Sequence, residues 1–123
     1  MSKKLIVVLT VFAFLFVGVG FLKAAMEGNS GSWTGEVIDV ACHSAKGAMG
    51  KDHAECGAKC VKEGLPVGLL VNGTTYLLIG ADHKPLNATL ADHVSHTITV
   101  TGTKYESNGA NLIAVKDWKM ASN

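Results

Sequence analysis

The first pattern along the chain is an apolar run of 18 residues, Leu5 to Leu22, in which Thr10 has the only hydroxyl group. As a helix this run spans roughly 27 Å, close to the thickness of the hydrocarbon layer of a membrane. Lys3 and Lys4 precede it, as in a secretory signal peptide or a signal anchor. We therefore assign residues 1–25 to such a segment and expect the rest of the chain to be exported, to the periplasm or the extracellular space.

The sequence leaves open whether this segment is removed. Cleavage after Ala24 places Leu22 three residues before the cut, and cleavage after Ala25 places Lys23 there. Neither is the small residue that a signal peptidase prefers. The alternatives are a cleaved signal peptide and an anchor retained in the cytoplasmic membrane through residues 5–22.

After a Gly/Ser-rich linker at 26–32, residues 33–123 show short apolar runs separated by turn signals, which predicts a single small domain. Asn72-Gly73 joins two of these runs and is typical of a tight hairpin. Asp52 and Gly64 are placed to begin and end a helix of about 11 residues. The predicted strands are 33–41, with a bend or bulge at Gly35, then 67–71, 74–79, 97–103 and 111–118. The predicted helices are 53–63 and 87–93, and residues 43–51 are predicted to form a loop.

This order of elements indicates a mainly β domain with one Cys-bearing helix after the first strand. Five strands with a short helix between the third and fourth match an OB-like β-barrel, whose closure removes exposed sheet edges. The alternative is an open five-stranded antiparallel sheet with one helix packed on it. In the strand at 97–103, apolar positions alternate with threonines, which predicts one buried and one solvated face.

Charge argues against a nucleic-acid partner. Three of the 11 basic residues lie in residues 1–25, so the exported part has eight lysines against ten acidic residues, a net charge of −2, and the chain contains no arginine. Such a domain has no surplus of positive charge for phosphate contacts. We expect Trp33 and Trp118, at the start of the first strand and the end of the last, to cover the core rather than to stack on bases.

The chemically unusual segment is a cluster of cysteine and histidine. All three cysteines, Cys42, Cys56 and Cys60, lie within 19 residues of one another, together with His53. On a regular helix His53, Cys56 and Cys60 share an arc of about 60°. Cys42 approaches from the end of the first strand, which completes a Cys3His set typical of zinc and also suited to copper. Further candidate ligands, or acceptors that orient an imidazole, are Asp39, His43 and Met49.

The same cysteines also permit an interpretation without metal. Cysteines of exported proteins usually form disulfides. Pairing Cys42 with Cys56 or Cys60 would attach the first strand to the helix and contribute very roughly 3 kcal/mol. It would leave one unpaired thiol and give His53 no role. Cysteine redox chemistry is a weaker alternative, because the spacing is C-x-x-x-C.

No pattern for catalysis emerges. We find no Ser/His/Asp set, carboxylate pair or phosphate-binding loop, so we do not predict an enzyme. The C-x-x-C-H motif of covalent c-type haem attachment is absent, since Asp39 stands three residues before Cys42. We expect a cell-envelope binding protein that carries a metal or associates with a cofactor-bearing envelope partner. The alternative function is a disulfide-stapled interaction module of an envelope complex.

Two motifs, W-x-G-x-V-x-D-x-x-C at 33–42 and H-x-x-C-x-x-x-C-V-K-x-G at 53–64, are followed by an apolar hairpin and a T-I-T-V-T-G strand. This combination resembles a group of small exported bacterial proteins with an OB-like β-barrel. The resemblance covers nearly all of the exported part and implies its fold and its export. It implies no particular activity, and it does not choose between a metal site and a disulfide.

Overall fold

The computed structural model describes residues 28–122. The membrane or signal segment predicted at 1–25 lies outside the described residues. Five strands and three short α-helices make up the described part. The strands are β1 (Asn29–Asp39), β2 (Val67–Val71), β3 (Thr74–Gly80), β4 (Thr97–Ser107) and β5 (Ala110–Met120). The helices are α1 (Val40–Lys46), α2 (Ala54–Lys62) and α3 (Asn87–Leu90), with 3₁₀ turns at Lys51–His53 and Ala91–His93.

The strands form a closed barrel in the order β1-β2-β3-β5-β4. All neighbouring pairs are antiparallel except β3 and β5, which pair in parallel through Leu77–Gly80 and Leu112–Val115. β1 pairs with β4 along its first part and with β2 along its last part. The prediction of a mainly β domain with a five-stranded barrel is confirmed, and the open-sheet alternative is wrong.

Alternation along the strands fills the barrel. Ile98 and Val100 of β4 are fully buried, whereas Thr97 and Thr101 are exposed, as the threonine pattern predicted. Trp33 and Trp118 pack against the core from its edge. The other buried apolar residues of the strands are Val37, Ile38, Val67, Leu69, Tyr76, Leu78, Ile113 and Val115.

The first strand starts earlier and ends earlier than predicted. It runs from Asn29, inside the segment assigned to the linker, and ends at Asp39. No register shift accompanies Gly35 in either pairing of β1. Gly35 instead lies where the backbone of Leu70 would collide with any side chain. A glycine there allows β1 to pass closely along β2 as the barrel turns its corner.

The loop predicted at 43–51 is partly wrong, because α1 continues directly from β1 and includes residues 43–46. The helix predicted at 53–63 is present, but it starts as a 3₁₀ turn at Lys51–His53 and becomes α-helical only at Ala54. Asp52 therefore lies within the 3₁₀ turn and does not cap α2.

The end of α2 follows the prediction at Gly64. Gly64 adopts a φ of +103°, its N–H donates to the carbonyl of Val61, and the N–H of Leu65 donates to the carbonyl of Cys60. This is the Schellman arrangement that glycine permits. The amide of Asn87 donates to the carbonyls of Val61 and Leu65 at 2.9 and 2.8 Å, which ties the end of α2 to α3.

The helices gather at one end of the barrel, beside the end of β1 and the start of β4. There α2 packs on the segment that follows α3: Gly57 lies against Val94, and the ammonium of Lys62 is 2.6 Å from a carboxylate oxygen of Asp92. At the opposite end the Tyr76 hydroxyl donates to the Glu106 carboxylate at 2.5 Å, and the ammonium of Lys104 lies over the rings of Trp33 and Tyr76.

Candidate metal centre

The site is built around Asp39, the last residue of β1 and the only fully buried acidic side chain among residues 28–122. Its backbone is extended, and its side chain caps the N-terminus of α1. The Oδ1 atom accepts hydrogen bonds from the N–H groups of Ala41 and Cys42 at 3.0 and 3.4 Å. Asp is a preferred N-cap because its oxygen satisfies N–H groups that have no partner within the helix. This capping fixes the carboxylate at the point where β1 becomes α1.

The second oxygen of Asp39 is left without a hydrogen bond. Asp39 Oδ2 is buried and lies 3.7 Å from His53 Nε2, which is also buried and also has no hydrogen-bond partner. Buried polar atoms are almost always paired, because an unpaired one costs about 1–3 kcal/mol and a charged one more. Two unpaired atoms of complementary chemistry that face each other across one small space therefore need an explanation.

Two thiols lie near the carboxylate of Asp39. One ligand atom from each of Asp39, Cys42 and Cys60 lies within 4.8 Å of the other two. We refer to these three residues as the Asp39/Cys42/Cys60 group. Cys42 comes from the first turn of α1 and Cys60 from the last turn of α2, so three elements meet at the group. A thiol is only a weak donor, so neither cysteine replaces a full partner for the carboxylate.

The electrostatics of the group keep both thiols protonated at neutral pH. The pKa of Cys42 is raised from its ordinary value, first by its close interaction with the Asp39 carboxylate and then by burial. Burial, followed by the negative charge of Asp39, raises the pKa of Cys60 to about 11. A bound cation reverses this effect, because a coordinating thiol is deprotonated outright.

His53, in the 3₁₀ turn that precedes α2, lies outside the Asp39/Cys42/Cys60 group and approaches it only through Asp39. Its side chain is 15% exposed, and its ring packs against Gly57, where a Cβ atom would lie 3.2 Å from His53 Cδ2. That Cβ atom would also lie 2.6 Å from the side chain of Val94. Glycine at position 57 thus allows α2 to approach the barrel closely enough to hold the imidazole beside Asp39.

The remaining predicted ligands are placed differently. Cys56 is exposed on α2 and lies outside the Asp39/Cys42/Cys60 group. His43 is occupied elsewhere, since its Nδ1 atom lies 3.2 Å from the carbonyl oxygen of Ala48. Met49 is 49% exposed on the surface. The Cys3His set proposed from the sequence is therefore replaced by two thiols, a carboxylate and an adjacent imidazole.

None of the three cysteines forms a disulfide in the structure. The placement of Cys42 on a helix, rather than at the end of a strand, could have been recognised from the sequence. Asp39 stands at an N-cap position before V-A-C-H-S-A-K, and Gly47, with a φ of +68°, ends that helix.

Comparison with known proteins gives no match to a family model, to a curated protein or to a solved structure. Within residues 28–122, no helix is long and apolar enough to cross a membrane.

Proposed function

We propose that this protein is a zinc-binding protein of the cell envelope, in which the Asp39/Cys42/Cys60 group holds the ion and His53 supplies the fourth ligand. The observation that carries the proposal is the pair of buried, unpaired atoms Asp39 Oδ2 and His53 Nε2, which lie 3.7 Å apart, while two thiols lie near the same carboxylate. A cation between them would satisfy both atoms at once.

The distances suit such an ion. With metal–nitrogen and metal–oxygen bonds of about 2.0–2.2 Å, tetrahedral ligands are separated by roughly 3.3–3.6 Å. The observed 3.7 Å between Asp39 Oδ2 and His53 Nε2 needs only a small closure. Sulfurs at about 2.3 Å from the metal are roughly 3.8 Å apart, which is within the 4.8 Å limit of the group.

The donor set favours zinc over copper. Copper(I) selects soft thiolate and thioether ligands, whereas zinc accepts thiolate, imidazole and carboxylate together. Met49 offers the one nearby thioether in the sequence, and its side chain is on the surface. A site of two thiolates, one imidazole and one carboxylate is therefore assigned to zinc.

Four protein ligands leave no open position for a substrate, as in structural zinc sites. This closed set supports a binding role rather than catalysis. The site also lies in a part of the barrel suited to ligands: we assign the barrel to the OB type, in which the connection between strands 1 and 2 takes part in binding. In this chain that connection is residues 40–66 and carries Cys42, His53 and Cys60.

Export is part of the proposal and rests on the apolar run at 5–22 behind Lys3 and Lys4. We place the domain in the periplasm or outside the cell. If residues 5–22 are not cleaved off, they anchor the protein in the cytoplasmic membrane. An envelope protein that receives or supplies the metal is the corresponding partner.

A second candidate function is the disulfide-stapled interaction module, and the closeness of the thiols of Cys42 and Cys60 favours it. A bond between them would join α1 to α2 and stabilise the fold by about 3 kcal/mol in the chain-entropy model. It would leave the unpaired atoms of Asp39 and His53 unexplained, which is why we rank it second.

The test is zinc titration of the full-length protein, reduced and freed of metal, in competition with a chromophoric chelator. We expect one zinc ion per chain. Cys60→Ser should weaken binding strongly, and Cys56→Ser is the matched control because it removes a thiol from the same helix outside the group. A reduced protein that binds no zinc would refute the proposed site. Equal losses in the two variants would refute the assignment of ligands.

The same samples distinguish the second candidate. Protein prepared without reductant is digested, and its cysteine-containing peptides are mapped. A Cys42–Cys60 disulfide in protein that also binds no zinc after reduction would establish the staple and exclude the metal site.

A further inference from the structure

Two more histidines meet on the surface, apart from the candidate metal centre. His93 ends the 3₁₀ turn after α3, and His96 immediately precedes β4. His93 is partly buried and His96 is exposed. Their Nδ1 atoms lie 3.4 Å apart, although the ring centroids are 5.5 Å apart, so the two nitrogens face each other.

The backbone holds this arrangement in place. Ser95 adopts a φ of +74°, which turns the chain so that the N–H of His96 donates to the carbonyl of His93 at 2.9 Å. Two further hydrogen bonds attach the turn to β1: the N–H of Ser95 donates to the carbonyl of Val37 at 2.8 Å, and the N–H of Val37 donates to the carbonyl of His96 at 2.9 Å. His93 and His96 therefore lie on a turn that hydrogen bonds attach to β1.

Packing also restricts one of the rings. The His93 ring meets the ring of Trp118 edge to face, with centroids 4.9 Å apart and an angle of 61° between the planes. Trp118 in turn packs against the core. Because rings held by such contacts lose little further freedom on binding, a ligand atom on His93 is presented at low entropic cost.

The nitrogen separation also suits a shared metal ion. In one pair of tautomers the two Nδ1 atoms form a hydrogen bond, but at 3.4 Å it is long, because N–H donors are best at about 2.7–3.2 Å from their acceptor. Two imidazole nitrogens bound to one tetrahedral ion at about 2.0–2.1 Å are separated by roughly 3.3–3.4 Å. The observed distance therefore matches an edge of a coordination tetrahedron.

We propose that His93 and His96 form a second, exchangeable metal site on the surface, which takes a divalent ion of the class that imidazole prefers: Ni²⁺, Cu²⁺ or Zn²⁺. Two protein ligands leave the other coordination positions to water, so the ion enters and leaves readily. The only carboxylate of the adjoining 3₁₀ turn, that of Asp92, is paired with Lys62 and does not complete the site. This inference does not depend on the zinc proposal, since it uses none of the same residues.

Trp118 provides the readout, because a paramagnetic ion bound beside His93 quenches the fluorescence of the adjacent indole. The experiment uses the full-length protein without a polyhistidine tag, with Trp33→Phe to leave Trp118 as the sole tryptophan and with Cys42→Ser and Cys60→Ser to remove the thiols of the other site. Ni²⁺ is added at pH 7.5, about one unit above the ordinary pKa of imidazole. We expect saturable quenching by one ion per chain.

The histidine variants decide the outcome. His93→Gln and His96→Gln should each abolish saturable quenching, whereas His83→Gln, which removes an exposed histidine in another loop, should leave it unchanged. Quenching that survives both variants, or that falls equally in the His83→Gln control, would overturn the proposal. If the triple variant with Trp33→Phe, Cys42→Ser and Cys60→Ser does not fold, retention of the tag-free protein with its native residues on an immobilised Ni²⁺ column gives the same comparison. Loss of retention in His93→Gln and His96→Gln alone supports the site, and unchanged retention overturns it.

Discussion

His53 Nε2 and Asp39 Oδ2 face each other across 3.7 Å, and neither atom has a hydrogen bond. The two residues come from different elements, a 3₁₀ turn and the end of a strand. The fold thus brings an imidazole nitrogen and a carboxylate oxygen together at a buried position, with two thiols near the carboxylate, without a hydrogen bond between them.

Asp39→Asn should separate the two roles of the residue. Asparagine caps helices as well as aspartate, so α1 should be retained. The substitution removes a buried carboxylate with one unpaired oxygen. The free energy of unfolding of the metal-free variant should therefore equal or exceed that of the unsubstituted protein. Zinc should no longer stabilise it. Denaturant unfolding with and without zinc measures both effects.

Asp39→Ala is the companion variant, because it removes the cap as well as the charge. We expect it to lower the free energy of unfolding by about 1 kcal/mol relative to Asp39→Asn. An Asp39→Asn protein that keeps full stabilisation by zinc would contradict the assignment of Asp39 as a ligand.

Alkylation should distinguish the cysteines. The raised pKa values of Cys42 and Cys60 lower the thiolate fraction of both residues at pH 8, and the thiolate is the reactive form. Cys56 is exposed, so iodoacetamide should modify it first, as followed by mass spectrometry of the peptides. Zinc should protect Cys42 and Cys60 further and leave Cys56 reactive. Faster modification of Cys60 than of Cys56 in the metal-free protein would be incompatible with the structure.

Zinc binding should release protons. Both thiols of the group are protonated at neutral pH because their pKa values are raised, so coordination displaces about two protons. The apparent affinity should therefore rise with pH, by up to about a hundredfold per unit while both thiols remain protonated in the free protein. Calorimetry at pH 7.5 in two buffers with different ionisation enthalpies counts the protons. A binding enthalpy that is the same in both buffers would show that no protons are released.

Gly57→Ala should destabilise the protein, although alanine is the better helix former by about 1 kcal/mol. The new Cβ atom would lie 2.6 Å from Val94 Cγ1 and 3.2 Å from the His53 ring. Valine is stiff at χ1, so α2 must move, which costs typically 1–3 kcal/mol. The net change should be a lower melting temperature and weaker zinc binding. Ala58→Gly, at the next position of the same helix, is the control: it should cost only the helix propensity.

Tyr76→Phe should weaken the opposite end of the barrel. The hydroxyl of Tyr76 donates to the Glu106 carboxylate, and this bond lowers the pKa of Glu106 below its ordinary 4.5. Loss of the bond should reduce the free energy of unfolding at pH 7, by a small amount because Glu106 is exposed. Because the folded pKa of Glu106 is depressed, its stabilising effect is present above the ordinary pKa and is lost as the pH falls through the folded value. The two proteins should therefore converge in stability at acidic pH, and a constant difference would contradict this account.

Local signals in the sequence account for much of the fold. Asn72-Gly73 predicted the hairpin between β2 and β3, and Gly64 predicted the end of α2. The alternating threonines predicted which face of β4 is buried. The parallel pairing of β3 with β5 could not be predicted, because it joins segments more than 30 residues apart without a local turn. α1 was missed because its last residues, His43 to Lys46, continue into Gly47 and Gly50, and such a run of small and polar residues is also typical of a loop.

The candidate centre was predicted in part for the same reasons. The predicted helical arc treated His53, Cys56 and Cys60 alike, whereas in the structure His53 and Cys60 approach Asp39 and Cys56 lies outside the group. Tertiary packing distinguishes the two cysteines of α2. Cys60 lies one turn after Cys56, in the last turn of α2, and its thiol is close to that of Cys42 in α1. Burial of Asp39 depended on the transition from β1 to α1, which no periodicity reveals.

The parallel contact between β3 and β5 has a consequence for biogenesis. β5 is the last of the five barrel strands to be synthesised, and it pairs with both β3 and β4. Until residues 110–120 are available, the sheet has two unpaired edges, and Asp39, Cys42 and Cys60 belong to an incomplete barrel. The barrel therefore closes only after β5 has been made, so stable loading of an ion at these residues should follow the completion of this strand.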